Sequence, residues 1–440
     1  MKRSVWTMAV IVMAVVAAGC AQKAETSDSP QKQAPVAQNQ APASGSASLA
    51  KEVDLTAFTS VPFADDDFKL LITDPLSKKY PNVKVSLIKQ QKIDQLVAAG
   101  QTPDLIFTWN AGISQFYDLD LITDQNALMK ANRMDSGRFD KNVIQALSDN
   151  KGIIAVPYQL QLNALYYNKD IFDKFGVGYP KDGLTWEDTI GLAEKLSRTE
   201  DGIDYRGFEP GGIRRIQYTR SLAVVDSKTE KAHANQEDFK TIFNLLDRIY
   251  SIPNNQPVKF TAYNYSMDFI KTKNVAMMAG WNLFSTLVSA KDLNWDAAQY
   301  PSYKETPNQY AAVDVQAVFV TKSSAHKDEA MKVIEVLTSD DVQKLAAQKL
   351  GFMTPLSNES IRNTLSQYEG LNGKNLKGVL KSKPAPAPVY TKYESNAQKL
   401  LDTAFEQFFT KKLDLNTALR QMDEQINSFI AADKSKSTAK

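Results

Sequence analysis

Residues Gly152–Leu196 read GIIAVPYQLQLNALYYNKDIFDKFGVGYPKDGLTWEDTIGLAEKL, and this stretch decides the fold. Ile153–Val156 and Ala164–Tyr167 are short apolar runs with the length of buried strands. Thr185 stands where a helix over Trp186–Leu196 needs its cap, with Asp188 in an imperfect capping-box position. Working outward, strand and helix signals keep alternating. Strands are expected at Val53–Phe58, Val83–Ile88, Asp104–Thr108, Val275–Met278 and Val313–Val320. Helices are expected over Asp74–Tyr80 (capped by Asp74, with Pro75 in the first turn), Lys92–Ala99 and Phe239–Tyr250. After Val320 only helices are expected, over Asp328–Leu337, Asp341–Lys349, Ala397–Phe409 and Leu415–Ile430. This alternation argues for α/β units built on mostly parallel sheets.

The N-terminus is a different material. Lys2 and Arg3 precede an apolar run, Val5–Ala18, that is short for a membrane span and fits the core of a signal peptide. Ala17-Ala18-Gly19 then leads into Cys20, the single cysteine of the 440 residues. A thiol there is a natural acyl acceptor, so residues 1–20 read as a lipoprotein signal peptide and Cys20 as the lipid attachment. Residues 21–49 are rich in Ala, Gln, Ser and Pro and read as a disordered tether. Residues 433–440 read as a flexible polar tail. One cysteine allows no internal disulfide and no cysteine zinc site. The 52 basic and 50 acidic side chains leave a net charge of +2 without a basic stripe, which argues against nucleic acid as a partner.

In open α/β sheets ligands sit beyond the carboxyl ends of strands, so the segments following strands carry the chemistry. After Val53–Phe58 comes Thr59 to Ala64 and then Asp65-Asp66-Asp67, which could meet hydroxyls or bind calcium weakly, with helix capping the favoured role for at least one of them. After Asp104–Phe107 comes Trp109-Asn110, and after Val275–Met278 comes Trp281-Asn282. An indole offers a flat face to the C–H surface of a sugar, and an asparagine amide offers donors and an acceptor to hydroxyls. These pairs favour a neutral, hydroxyl-rich ligand; the alternative is that both tryptophans are packing residues.

The chain resembles the extracellular solute-binding proteins that include maltose-binding protein. The resemblance runs over roughly residues 50–430 and is strongest in Gly152–Leu196, through Pro157-Tyr158, Tyr167 to Asp170 and Thr185-Trp186. Residues 78–88, 103–109, 276–281 and 323–356 match in the same order. It implies a two-lobed, type II periplasmic-binding-protein-like α/β fold, each lobe a mostly parallel sheet flanked by helices. Three hinge crossings are expected near Tyr158–Leu162, near Asp314–Ala317 and near residue 365. The lobes would comprise 50–158 with 318–365, and 159–317 with 366–432. By position, Trp109, Tyr158, Gln161, Trp281, Asp314, Gln316 and Phe352 are implied as ligand contacts. Gly280-Trp281-Asn282-Leu283-Phe284 departs from the Gly-Pro-Trp-Ala-Trp of the maltose-binding pattern, so maltose itself is not implied. Arg214, Arg215 and Tyr218 form a separate group: an arginine fork could hold the carboxylate of an acidic sugar, but such a pair is more often a solvated face.

The function so implied is delivery of a carbohydrate, an oligosaccharide by expectation, to the membrane subunits of an ABC importer through closure around the ligand. It needs no cofactor and no metal, and the protein is expected as a monomer on the outer face of the cell membrane. Ala21 after Cys20 is not an inner-membrane retention signal, which points to a Gram-positive surface. Alternatives in the same fold are a phosphorylated polyol, a polyamine, a peptide or a metal chelate, or docking on a sensor. An exported polysaccharide-degrading enzyme would need paired carboxylates or a nucleophile set. The two histidines, His233 and His326, lie in polar contexts, and no G-x-S-x-G, HExxH or P-loop is present.

Overall fold

The computed structural model describes residues 51–89, 91–149, 152–260 and 268–438. The expected signal peptide, Cys20 and the tether lie outside them. The strands in chain order are β1 (Val53–Thr59), β2 (Val83–Ile88), β3 (Leu105–Trp109), β4 (Ser148–Asp149), β5 (Gly152–Ile153), β6 (Val156–Leu160) and β7 (Ala164–Asn168). They continue with β8 (Arg198–Glu200), β9 (Ile203–Glu209), β10 (Val275–Gly280), β11 (Trp295–Gln299), β12 (Gln309–Ala312), β13 (Val315–Val320) and β14 (Lys383–Ala385).

Two five-stranded sheets organise the molecule into two lobes, ordered β2-β1-β3-β13-β6 and β11-β7-β10-β9-β8. Both are mixed rather than mostly parallel. In the first, β1 runs parallel to β2 and β3 while β13 is antiparallel to β3 and β6. In the second, only β10 and β9 are parallel; β7 is antiparallel to β10 and β11, and β8 to β9. Where the chain passes between the sheets, at β13 and at β7, the entering strand arrives in the reverse direction, while β8 and β9 are antiparallel because Asp201-Gly202 joins them as a hairpin.

Each sheet is buried on both faces. Along β3 and β13, Leu105, Phe107, Val318 and Val320 face one apolar cluster, while Ile106, Ala317 and Phe319 face another. Along β7, Leu165 and Tyr167 face one cluster and Ala164 and Tyr166 the other. Two covered faces explain why these strands read as unbroken apolar runs. The chain passes from the first sheet to the second between Leu160 and Ala164, and returns between Gln299 and Val315. It crosses again after Ile361, which packs in the first lobe, before Leu365, which packs in the second.

Local signals hold at the quoted stretch. Thr185 Oγ1 accepts from the Asp188 amide at 3.1 Å and Asp188 Oδ2 from the Thr185 amide at 2.9 Å, a complete capping box despite the short acid. Asn168 caps the helix Lys169–Phe175 with a single bond, its Oδ1 accepting from the Asp170 amide at 3.0 Å.

Three expectations are corrected. The first helix begins at Asp65, capped by the backbone of Ala64, with Asp65, Asp66 and Asp67 in its first turn. It continues through a widened turn, Lys69–Thr73, into Asp74–Lys79. The wide turn gives Pro75 room where its ring would meet the carbonyl four residues back. Strand β14 interrupts the segment after Val320 expected to hold only helices, and pairs with β12. The last helix, Leu415–Thr438, runs through the supposed frayed tail, where Asp433 bonds Lys392 at 2.6 Å and Lys434 bonds Glu230 at 2.7 Å.

Candidate functional site

A cavity of about 490 Å³ opens where the carboxyl ends of strands from both sheets face each other. That volume lies within the roughly 300–1,000 Å³ of small-molecule sites. The first lobe contributes Ser60 to Ala64 and Asp67 after β1, Trp109 at the end of β3, and Leu350 and Phe352. The second contributes Arg215, Tyr218, Trp281, Asn282 and Ser285, and the crossings contribute Tyr158, Gln159, Gln161, Asp314 and Gln316. Of the residues singled out from the sequence as binding candidates, Asn110, Arg214, Asp65 and Asp66 lie outside this space, and Trp109, Tyr158, Gln161, Tyr218, Trp281, Asn282, Asp314, Gln316 and Phe352 line it.

Trp109 is seated by a missing side chain. A Cβ on Gly112 would lie 2.6 Å from the Trp109 ring, so the turn after β3 can pass beneath the indole only as glycine. Asn110 is 6% exposed and turned into the protein. Its Nδ2 donates to the Val313 carbonyl at 2.9 Å and its Oδ1 accepts from the Val315 amide at 3.4 Å. It therefore ties the turn to the return strand β13 and lies outside the cavity. Asn282 does line the cavity, yet its Nδ2 donates to the Gly351 carbonyl at 2.7 Å and its Oδ1 accepts from the Phe284 amide at 3.1 Å. Neither amide matches the expected role of a group held open for hydroxyls. Both fix loops beside a tryptophan.

At the crossings, Tyr158 donates to Gln316 Oε1 at 2.7 Å and its ring stacks on Phe63, 6.1 Å between centroids. Burial pushes the Tyr158 phenol well above its usual range, so it stays a neutral donor. The Gln161 amide donates to the Asp314 carbonyl at 2.8 Å, joining the first crossing to the second.

The arginine pair is not a solvated face. Arg214 grips Asp402 in a bidentate pair at 2.6 and 2.5 Å. Arg215 is 8% exposed and donates from Nη1 to Asp314 Oδ2 at 3.0 Å, with Asp314 also 8% exposed. Its guanidinium lies over the Trp281 ring, 4.3 Å from the centroid. Burial works against the Arg215 charge more than any one neighbour supports it, but Asp314, Tyr218 and Tyr300 together outweigh it, so the guanidinium is held ionised. The sequence around Gly211-Gly212 explains how it arrives there. Gly211 has φ +88°, and a Cβ on it would lie 3.0 Å from the Ala279 carbonyl. Its amide donates to Glu209 Oε1 at 2.9 Å, and the same carboxylate takes Arg206 Nη2 at 2.6 Å. A buried ion pair at the end of β9 thus shapes the turn that delivers Arg215 to the cavity. Asp67, one of the three acids offered as helix caps or hydroxyl contacts, also lines the cavity; burial, then the neighbouring Asp66, raises its carboxyl above the usual value.

Residues 63–344 match the family model for the bacterial extracellular solute-binding protein. The chain belongs to that family. Among relatives of this solute-binding protein, an uncharacterized ABC transporter extracellular-binding protein of Pyrococcus horikoshii is 27% identical over 208 residues, 44% of this chain and 42% of that one. The match thus spans less than half the length of that relative. Among solved structures, the ABC substrate-binding protein from Listeria monocytogenes in complex with cycloalternan superposes with a TM-score of 0.73 at 17% identity, over 87% of this chain and 100% of that one. A solute-binding protein from Thermotoga lettingae, bound with alpha-D-tagatose, gives 0.69 at 18% over 86% and 99%. At such identities these two establish the shared fold. Among the described residues, no helix is long and apolar enough to cross a membrane.

Proposed function

We propose that this solute-binding protein captures a carbohydrate between its lobes and presents it, by hinge closure, to the membrane subunits of an ABC importer. The observation that carries the reading is the convergence of Trp109 from the first lobe and Trp281 from the second on one cavity, among hydrogen-bonding side chains. The sugars held by the Listeria and Thermotoga structures support it. The lobes are taken as 50–158 with 318–365 and 159–317 with 366–432, and the sheet memberships of β6, β7 and β13 support that division. We take Cys20 as the lipid attachment, with residues 21–49 as tether, on the outer face of a Gram-positive membrane, and the protein as a monomer.

A thermal-shift screen of mono- and oligosaccharides tests the ligand class. A cognate sugar at 100 times its Kd adds about 2.7 kcal/mol of stability. Trp109→Ala and Trp281→Ala should each remove most of that shift; a shift unchanged in both places the site elsewhere. Incubation of the retained sugar should return it intact, since Asp314, one of the two lining carboxylates, is held by Arg215. Turnover of the sugar would instead support a glycosidase. Acylation is read by incorporation of labelled palmitate, lost in Cys20→Ser.

A further inference from the structure

An arginine buried in a sugar cleft would ordinarily mark a site for a carboxylate. Here the surroundings point the other way. Arg215 already donates to Asp314 at 3.0 Å and lies over Trp281. Asp314 is itself fixed, since its carbonyl takes the Gln161 amide at 2.8 Å across the two crossings. Asp67 adds a second carboxylate to the lining, so the charged lining groups are two acids and one base. We propose that the cleft accepts neutral, hydroxyl-bearing glycans and rejects those carrying a carboxylate, with the Arg215–Asp314 pair setting the preference. This rests on the carbohydrate reading above and narrows it.

The chemistry is a matter of charge and of donor type. A uronic acid reaching Arg215 must either displace Asp314, leaving a buried carboxylate without its cation, or place two anions on one guanidinium. Both are costly in a desolvated site. A hydroxyl brings no charge. Two atoms of the same cluster also have no hydrogen-bond partner among the described residues: Arg215 Nε, a donor, and Gln161 Oε1, an acceptor. Hydroxyls can accept from the first and donate to the second, whereas an ionised carboxylate can only accept. The neutrality expected from the Trp-Asn pairs therefore rests on Arg215, Asp314 and Gln161 instead.

The test is binding of the full chain to an array of neutral oligosaccharides and their uronic-acid counterparts, followed by titration of the best pair. The expected result is neutral glycans bound at least about tenfold more tightly than the matched acids. Asp314→Asn, which leaves the guanidinium without its counter-charge, should shrink that ratio by about tenfold or reverse it. Should that variant not fold, Asp67→Asn removes the other lining acid without breaking an ion pair of the cleft and should move the ratio in the same direction. An acid bound by the unaltered protein as tightly as its neutral counterpart overturns the inference and leaves the carbohydrate reading standing. So does a ratio that neither folded variant changes. Binding of neither class removes the carbohydrate reading, and this inference with it.

Discussion

Trp109-Asn110 and Trp281-Asn282 are the same dipeptide, each at the carboxyl end of a buried strand, yet the two lobes hold them by different physics. Trp109 rests on a turn from which a side chain is missing, and its asparagine ties that turn to β13. Trp281 lies under a guanidinium, and that guanidinium depends on Asp314 and on the turn shaped by Glu209. One platform is a packing device. The other is electrostatic. The contrast teaches that matching sequence marks matching position only; what fixes the side chain must be sought in residues far away in the chain.

The largest expected effect breaks the electrostatic side. Glu209→Ala deprives Arg206 of its buried partner and Gly211 of its acceptor, while Asp268 remains at 3.1 Å as a second, half-exposed partner. A loss of about 3 kcal/mol is expected in urea unfolding. Ligand binding should fall with it, because the turn that delivers Arg215 loses its anchor. A variant with normal binding would show that Arg215 is positioned by something else.

The packing side should give a smaller but more local effect. In Gly112→Ala the new Cβ would sit 2.6 Å from the indole, so the ring or the turn must move. Overpacking of this kind costs about 1–3 kcal/mol. The expected signature is a shifted tryptophan emission with a weakened ligand shift, while Glu209 and Arg215 are untouched. If emission and ligand shift both stay normal, Trp109 is not seated by Gly112.

Much of this was legible in the chain. Runs such as Leu105–Phe107 and Val275–Met278 announce strands covered on both faces, and Thr185 announces its helix. Strand β9 was not legible, because Ile-Asp-Tyr-Arg-Gly-Phe-Glu carries charges that an apolar pattern excludes; Arg206 and Glu209 enter the interior by neutralising each other. Trp295, at the head of β11, was hidden by the small and polar Asp-Ala-Ala-Gln that follows it. In the site, the aromatics were visible because their positions after strands are local facts. The burial of Arg215, one of a pair that reads as more often a solvated face, was not visible, since its partner Asp314 stands 99 residues away. The asparagines misled for the same reason: the carbonyls they bind, Val313 and Gly351, are distant in sequence.

The two asparagines also order the next expectation. Asn110→Ala leaves the buried Val313 carbonyl and Val315 amide without side-chain partners, at about 1–3 kcal/mol. Asn282→Ala exposes a half-buried site and should cost about 1 kcal/mol. Equal losses in thermal unfolding would mean that burial does not separate the two turns.

The smallest effect concerns Asp67, the acid on the packing side. Its carboxyl is raised by burial and then by Asp66, so the folded state holds the proton more firmly than the unfolded chain does. For such a group stability falls as pH rises through the interval between the unfolded and folded values, and the ionised form carries that cost at neutral pH. Asp67→Asn should therefore raise Tm slightly at pH 7, with the gain fading as pH drops below the ordinary aspartate value of about 3.9. At the crossing Asp314→Asn should lower Tm at pH 7, because it strips a counter-charge from a buried guanidinium. Two carboxylates lining one cavity are thus expected to respond to the same neutralisation with opposite signs. Shifts of the same sign would mean that Arg215 does not distinguish the walls and that the electrostatic account of the second lobe fails.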